Sequence, residues 1–240
     1  MKRFIPALLD FFFPPLCHIC RSFIPHAGEL HICPVCREQL PLVMPPLCHI
    51  CGIPFTGAGN DHICGQCLTH PPYFDSARAH LLYEGAARDM LHSFKYQHKT
   101  HLRRPLALLT LEGLTDFIVE KAPDIIIPVP LHRSRLRNRG FNQAVLLGNV
   151  FSSRLSIPML LNGLVRTRQT EPQIELSAEQ RRNNVKGAFT SAKSADIKGK
   201  RVLLLDDVMT TGSTVDECSR ELKKAGAHSV LVITAARTGR

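Results

Sequence analysis

Two adjacent carboxylates, Asp206 and Asp207, close the apolar run Val202–Leu205. Five small residues follow shortly after: Thr210, Thr211, Gly212, Ser213 and Thr214. The apolar run has no polar interruption, as expected of a strand buried on both faces of a parallel sheet. A helical pattern then begins, with Val215, Cys218, Leu222 and Ala225 toward one face and Gly226 as a stop signal. A strand, a small-residue turn and a helix N-terminus make a phosphate cradle. Successive backbone N–H groups point inward, hydroxyls add donors, and the helix dipole favours an anion. Thr214 and Glu217 have the spacing of a capping box, which predicts the helix start there. Carboxylates cannot hold a phosphate, but they accept hydrogen bonds from sugar hydroxyls. Together the pieces fit a 5-phosphorylated ribose. Both acids can reach one sugar only if the backbone turns at Asp206, because successive strand residues face opposite ways. A Walker B strand also ends in acids, but the chain has no G-x-x-x-x-G-K-[ST] to complete that site.

The second constellation is cysteine. Cys17, Cys20, Cys33 and Cys36 recur 31 residues later as Cys48, Cys51, Cys64 and Cys67. The flanking P-P-L-C-H-I-C and H-I-C segments repeat with them, so this is an internal duplication. Each C-x2-C can bring two sulfurs to one tetrahedral ion, and a second such pair completes the site. Two structural zinc ions are expected. Four disulfides are the competing reading, but C-x2-C pairs favour metal and no convincing export signal precedes them. The two repeats can each close a site or interleave. Sequential pairing is the reading adopted, since each repeat holds a complete set. His18, His31, His49 and His62 then lie beside the ligands rather than among them.

The third is arginine. Arg133, Arg135, Arg137 and Arg139 alternate before Gly140-Phe141-Asn142-Gln143. An extended chain would put them on one side, and a helix would scatter them. From Leu131 to Lys186 there are ten Lys or Arg against three Glu. Most of the chain's positive excess lies there. Arg166 and Arg168 open a polar stretch that contains Pro172 and runs to Phe189, which reads as a mobile loop. Guanidinium groups suit bidentate phosphate recognition, and a solvated basic face is the bland alternative. Phe94, Tyr96 and Phe141 lie near this basic track and could stack bases or simply fill core.

These groups need a scaffold. Strands are expected at Ala77–Tyr83, Asp124–Val129, Leu160–Val165, Arg201–Asp206 and Ser229–Ala235. Helices are expected at Gly85–Tyr96, Leu102–Lys121 and Gly140–Leu155. Alternation of this kind predicts an α/β domain with a parallel central sheet, over 73–240, preceded by a cysteine-rich unit over 1–72. Ligands should lie at the carboxyl ends of its strands. Cys218, on the apolar helix face, reads as buried core. The 240 residues are 44% apolar, with no apolar run near the ~18–20 residues that span a bilayer, so no membrane insertion is expected. Met1–Phe13 starts basic and continues apolar, but Pro6 and Asp10 interrupt it. It is expected to pack onto the body. The formal net charge is +10. Each four-thiolate zinc site would remove two charges, leaving about +6. A polyanionic partner suits that balance.

The stretch V-L-L-L-D-D-V-M-T-T-G-S-T resembles the phosphoribosyl pyrophosphate (PRPP) motif of type I phosphoribosyltransferases. R-G-F-N-Q-A, R-T-R-x-T-x-x-Q-x-x-L, N-V-K-G-A-F and the cysteine repeats are similar to the competence ComF/GntX family, over essentially the whole chain. That resemblance implies a type I phosphoribosyltransferase-like domain behind a double zinc ribbon. It implies a cytoplasmic protein that binds PRPP and single-stranded DNA, acts in natural transformation or use of external DNA, and meets DNA-uptake machinery proteins. An active phosphoribosyltransferase on an unidentified acceptor is the alternative. By the same resemblance Asp206 and Asp207 would face the ribose hydroxyls, and Thr210–Thr214 the 5-phosphate. Pro130–His132, Lys95, Arg139, Asn142, Gln143, Arg166 and Arg168 would lie near the pyrophosphate, with magnesium arriving on it. Arg133, Arg135 and Arg137 are the candidates for nucleic acid.

Overall fold

A computed structural model describes residues 14–25, 27–170, 178–191 and 194–239. The expectation for Met1–Phe13 lies outside the described residues. Four strands form a wholly parallel sheet, in the order β1 (Ser76–Leu82), β6 (Ser229–Arg237), β5 (Arg201–Met209), β2 (Ile125–Pro128). Their apolar runs serve both faces at once. Ile126, Leu203, Leu205, Leu231 and Ile233 feed one core. Ile125, Ile127, Val202, Leu204, Val230 and Val232 feed the other. Alternation of side chains along a strand requires this division once both faces are covered.

Helices α3 (Gly85–Tyr96), α4 (Arg103–Lys121) and α6 (Gln143–Leu155) cover the first face. Phe94 of α3 is fully buried there, so it is core and not a stacking platform. Helix α9 (Ser213–Lys224), which follows the short α8 (Ser194–Ile197), covers the second face, with the antiparallel pair β3 (Leu164–Arg166) and β4 (Phe189–Ser191) and the helix α7 (Ala178–Val185). Cys218 is fully buried on α9, as its apolar spacing predicts.

The structure settles the open choice at the alternating arginines and changes three local expectations. Arg133–Arg139 is a short helix, α5, because the His132 side chain accepts from the Ser134 N–H at its start. Gly140, at φ +74°, ends it, and Asn142 caps α6. Of the strand expected at Leu160–Val165, Leu164 and Val165 form β3 together with Arg166, and Met159 before them makes a single bridge to Ile126. Within the expected loop, Ala178–Val185 is helix, and residues 171–177 lie outside the described set.

Each cysteine repeat folds into a knuckle pair with one short helix, α1 (Pro34–Glu38) or α2 (Gly65–Thr69). The repeats straddle the β1 edge. The first packs Ile24, Ile32 and Leu40 into the α3/α4/α6 core, and its Glu29 bonds Arg104 and Arg154. The second sets Ile50 and Cys51 against the opposite core. Between them, Pro41–Val43 runs beside β1, with Leu82 N–H to Pro41 O at 2.7 Å and Val43 N–H to His80 O at 2.9 Å.

Candidate functional site

Where β1, β2 and β5 end, a cavity of about 820 Å³ opens. Its floor is Asp206, Asp207, Val208, Thr210 and Thr214. The motif strand does not turn at Asp206. It stays paired with β6 to Met209, with Asp206 opposite Thr234. Both acids nevertheless line the cavity, in different surroundings. Asp207 is buried and paired with Lys95 Nζ at 2.9 Å. Asp206 is half-buried and accepts from the Asp207 N–H at 2.8 Å. Burial, then the neighbouring Asp207 charge, push the Asp206 carboxyl up to about 7 against the pull of Lys95. Burial works against charge on Lys95, but Asp207 outweighs it and holds the ammonium above its ordinary value.

Helix α3 explains how Lys95 arrives. Ala87, Met90, Leu91 and Phe94 form its buried stripe, and Lys95 follows that stripe in the last turn, where its ammonium meets Asp207. Lys95 is a pyrophosphate candidate by sequence. In the structure its ammonium is committed to Asp207, so its place is beside the Asp206–Asp207 pair.

The Thr-rich loop differs from its expectation in detail. Helix α9 begins at Ser213 with Gly212 as its cap, at φ +80°. A side chain on Gly212 would also meet Met209 Cε at 2.8 Å. Thr214 and Glu217 form no capping box. Glu217 is buried and accepts from the Gly187 N–H at 2.5 Å and from Arg220, tying the β4 entry to α9. Thr210 and Thr214 line the cavity. Thr211 and Ser213 bond each other at 2.9 Å in the turn, and neither these two nor Gly212 is among the lining residues.

The cavity is also lined by a set of cations, Arg135, Arg139, Arg166 and Arg181, with Gln143. The helix scatters the four alternating arginines. Arg135 and Arg139, four apart, face the cavity, while Arg133 and Arg137 are exposed. Arg135 donates to Thr170 O at 2.9 Å. Arg139 lies over the Tyr96 ring at 4.9 Å and donates to Gln143 Oε1 at 3.3 Å. Arg166 bonds the Thr170 hydroxyl and lies over Phe189. Burial, then Arg135, lower its guanidinium to about 10. Asn142 lines the cavity, but its side chain is spent on Val129 O at 3.0 Å and the Ala144 N–H at 2.9 Å, which fixes the turn after β2. Arg168 is outside the cavity, bonded to the carbonyls of Asn184 and Lys186 at 2.9 Å each.

Among the described residues, three N–H groups on residues that line the cavity are buried without a partner: Gln143 Nε2, Arg166 Nε and Arg181 Nε. Buried donors are nearly always satisfied, so three such groups on residues that line one cavity are unusual. Sequence reasoning did not single out Arg181. It lies in a polar segment whose helix carries no apolar stripe, so no periodicity pointed to it. Tyr83, His92 and His98, which line the α3 side, were also missed, since their strand and helix ends carry no motif.

The two cysteine tetrads are separate and sequential. Cys17, Cys20, Cys33 and Cys36 bring their sulfurs within 4.8 Å of one another, as do Cys48, Cys51, Cys64 and Cys67. Cys20 and Cys33 sulfurs are 3.7 Å apart, and those of Cys51 and Cys64 3.8 Å. A tetrahedral ion with Zn–S bonds of about 2.3 Å requires edges of about 3.8 Å. Backbone N–H groups of Cys33 and Cys64 point at the Cys17 and Cys48 sulfurs at 3.4 and 3.3 Å. All nine cysteines are free thiols, and the tetrads fit two structural zinc ions.

This pairing of closed cysteine sites with a phosphoribosyltransferase-type sheet agrees with comparison. Residues 8–68 match the double zinc ribbon domain family, and residues 142–240 match the phosphoribosyl transferase domain family. Competence protein F of Haemophilus influenzae is 41% identical over 152 residues, which is 62% of this chain and 66% of that protein. Over that span the chain is similar to competence protein F. DNA utilization protein YhgH of Escherichia coli O157:H7 is 38% identical over the same shares. Competence protein ComFC of Bacillus subtilis is 29% identical over 48% of this chain and 45% of its own length. The first relatives are thus matched over just under two thirds of their length. Among solved structures, the purine phosphoribosyltransferase of Pyrococcus horikoshii overlays with a TM-score of 0.35 at 24% identity, covering 55% of this chain and 83% of that one.

Proposed function

We propose that the cavity binds PRPP. The carrying observation is one cavity, at the carboxyl ends of the strands, lined by both the Asp206–Asp207 pair and the cations Lys95, Arg135, Arg139, Arg166 and Arg181. Thr210, Thr214 and the start of α9 would take the 5-phosphate. Asp206 and Asp207 would accept from the ribose hydroxyls, Lys95 fixing the second. Arg166, Arg181, Arg139 and Gln143 would take the pyrophosphate. Magnesium, when present, would neutralise pyrophosphate charge from a largely hydrated position.

Calorimetry tests this with two variants. Gln143→Leu keeps the buried volume and removes the donor. Asp206→Asn removes one sugar acceptor charge. Each should weaken PRPP by about 10-fold or more, the weight of a charge-assisted hydrogen bond. Affinity equal to wild type in both would sink the assignment.

The biological setting follows the relatives' names, competence and DNA utilization. We assign this chain to the handling of incoming single-stranded DNA in the cytoplasm. Arg133 and Arg137, exposed on the outer face of α5, supply cations outside the cavity. No helix among the described residues is long and apolar enough to cross a membrane. Affinity for an oligothymidylate should fall with salt, and Arg133→Ala with Arg137→Ala should flatten that slope by about 0.7 per lost phosphate contact. A slope identical to wild type would remove these two residues from the interface.

Transfer of the phosphoribosyl group is the second reading. Its support is room. The cavity lies in the upper part of the usual small-molecule range of about 300–1,000 Å³, and Tyr83, His92, Tyr96 and His98 wall the end nearest α3. Pyrophosphate release with a panel of acceptors separates transferase from binder.

A further inference from the structure

The two ribbons are copies offset by 31 residues, so each position has a counterpart. The counterpart of Arg21 is Gly52. Both stand in the left-handed region, at φ +65° and +66°. Both N–H groups close the same knuckle, onto Cys17 O at 3.0 Å and Cys48 O at 2.9 Å. Glycine in the second ribbon has a steric reason, because a Cβ there would come 2.4 Å from Ala77 O. The first ribbon keeps the backbone but carries a long cation in a conformation that disfavours any side chain. His31 is left-handed too, at φ +48°, and its counterpart His62 is not among the positive-φ residues. Backbone strain held at a charged residue points toward function.

The surroundings of Arg21 say which. Its side chain lines a cavity of about 350 Å³ between the first ribbon and α3, together with His18, Lys99 and His101. The His18 ring lies 5.2 Å from His101 and 5.7 Å from His31. Arg21, Lys99 and Arg103 all act on His101. One carboxylate lines the cavity, Asp89, and it faces Arg88 at 3.5 Å. Among the described residues, neither Arg21 nor Lys99 has an ion-pair partner. The second ribbon does not repeat this arrangement. There Phe55 stacks on His62 at 3.8 Å, covering the ring.

We propose that the junction of the first ribbon with α3 is a second oxyanion site, built to take a phosphate group on Arg21 and Lys99. It shares no lining residue with the larger cavity and does not rest on the PRPP reading. A free phosphate and a phosphodiester of single-stranded DNA offer the same oxygens.

The zinc-loaded full chain tests the site with two probes, inorganic phosphate by calorimetry and a labelled oligothymidylate by anisotropy at several salt concentrations. Arg21→Gly installs the residue that the second ribbon already uses, so it should fold and melt at or above the wild-type temperature. Lys99→Ala is the independent partner variant. Each should weaken at least one probe roughly tenfold. Weakening of the oligothymidylate alone, with a shallower salt slope, assigns the site to a phosphodiester backbone. Weakening of inorganic phosphate as well assigns it to a free phosphate. Unchanged affinity for both probes in both variants overturns the proposal, as does a wild-type chain that binds neither.

Discussion

Lys95→Met should destabilise the protein by about 3–5 kcal/mol, the usual result of stranding one half of a buried ion pair. For a chain of this size that corresponds to a fall in Tm of about 6–20 °C. The partner left behind is Asp207, whose side chain is 9% exposed and stands next to a second carboxylate. Two adjacent acids without a cation cannot both ionise cheaply. Adding Asp207→Asn to Lys95→Met should recover most of the loss, since neither charge then remains unpaired. A double variant no more stable than the single one would refute this account. Asp206→Asn should act in the opposite direction. Its folded pKa of about 7 lies above the ordinary carboxyl value of 3.8. The cost of ionising it in the folded chain is therefore absent below pH ~4, grows as pH rises to about 7, and is full above that. At pH 8 the variant should be more stable by about 2–4 kcal/mol, with the gain gone near pH 4. Thermal melts across that range decide it. A variant that gains stability while losing PRPP would be the usual mark of a site kept for function against stability.

Removing zinc should have an effect as large. Structural zinc contributes about 10–16 kcal/mol to the folding of isolated zinc-finger peptides. Here the second site also satisfies the body of the protein. Arg78 of β1 donates to Cys48 O at 3.3 Å and His49 O at 3.2 Å, and the buried Arg237 of β6 donates to Cys51 O. A four-thiolate zinc site carries a net charge of about −2. Two inward arginines beside it balance that charge, and the coordinated loop presents carbonyls to both. When the loop loosens, Arg78 keeps only Ala77 O and Arg237 only Thr238 O of the acceptors they hold here. Stripping the metal with a chelator should release two ions per chain and lower Tm by about 10–20 °C. Cys48→Ser should reproduce much of that loss. Loss of both ions with an unchanged melt would show that the ribbons do not support the sheet.

What the sequence made legible was short-range or periodic. The motif strand, the 31-residue cysteine period and the apolar runs of β2 and β6 each lie within one contiguous stretch, and all three fold as their patterns require. Pairings across the chain were not legible. Lys95 meets Asp207 only because β1, with α3 behind it, is placed beside β6 and β5. The alternating arginines matched a strand as well as a helix. The local bond from Ser134 N–H to His132 chose the helix, and that choice divided Arg135 and Arg139 from Arg133 and Arg137. Thr214 and Glu217 had the right spacing for a capping box, but a tertiary partner, the Gly187 N–H, claims the carboxylate. Arg168 fell inside a motif yet is held by two backbone carbonyls away from the cavity.

The short span Pro41–Val43 has a further consequence. An open sheet edge offers unpaired N–H and C=O groups to any passing chain. Here the β1 edge is occupied by the peptide that joins the two ribbons, through Leu82 N–H and Val43 N–H. That peptide has no fold of its own and is held at both ends by cysteine sites. Metal supply thereby governs colloidal behaviour. A zinc-starved chain would bare a strand template before its sheet core melted, and self-association would be the first symptom of its deficiency.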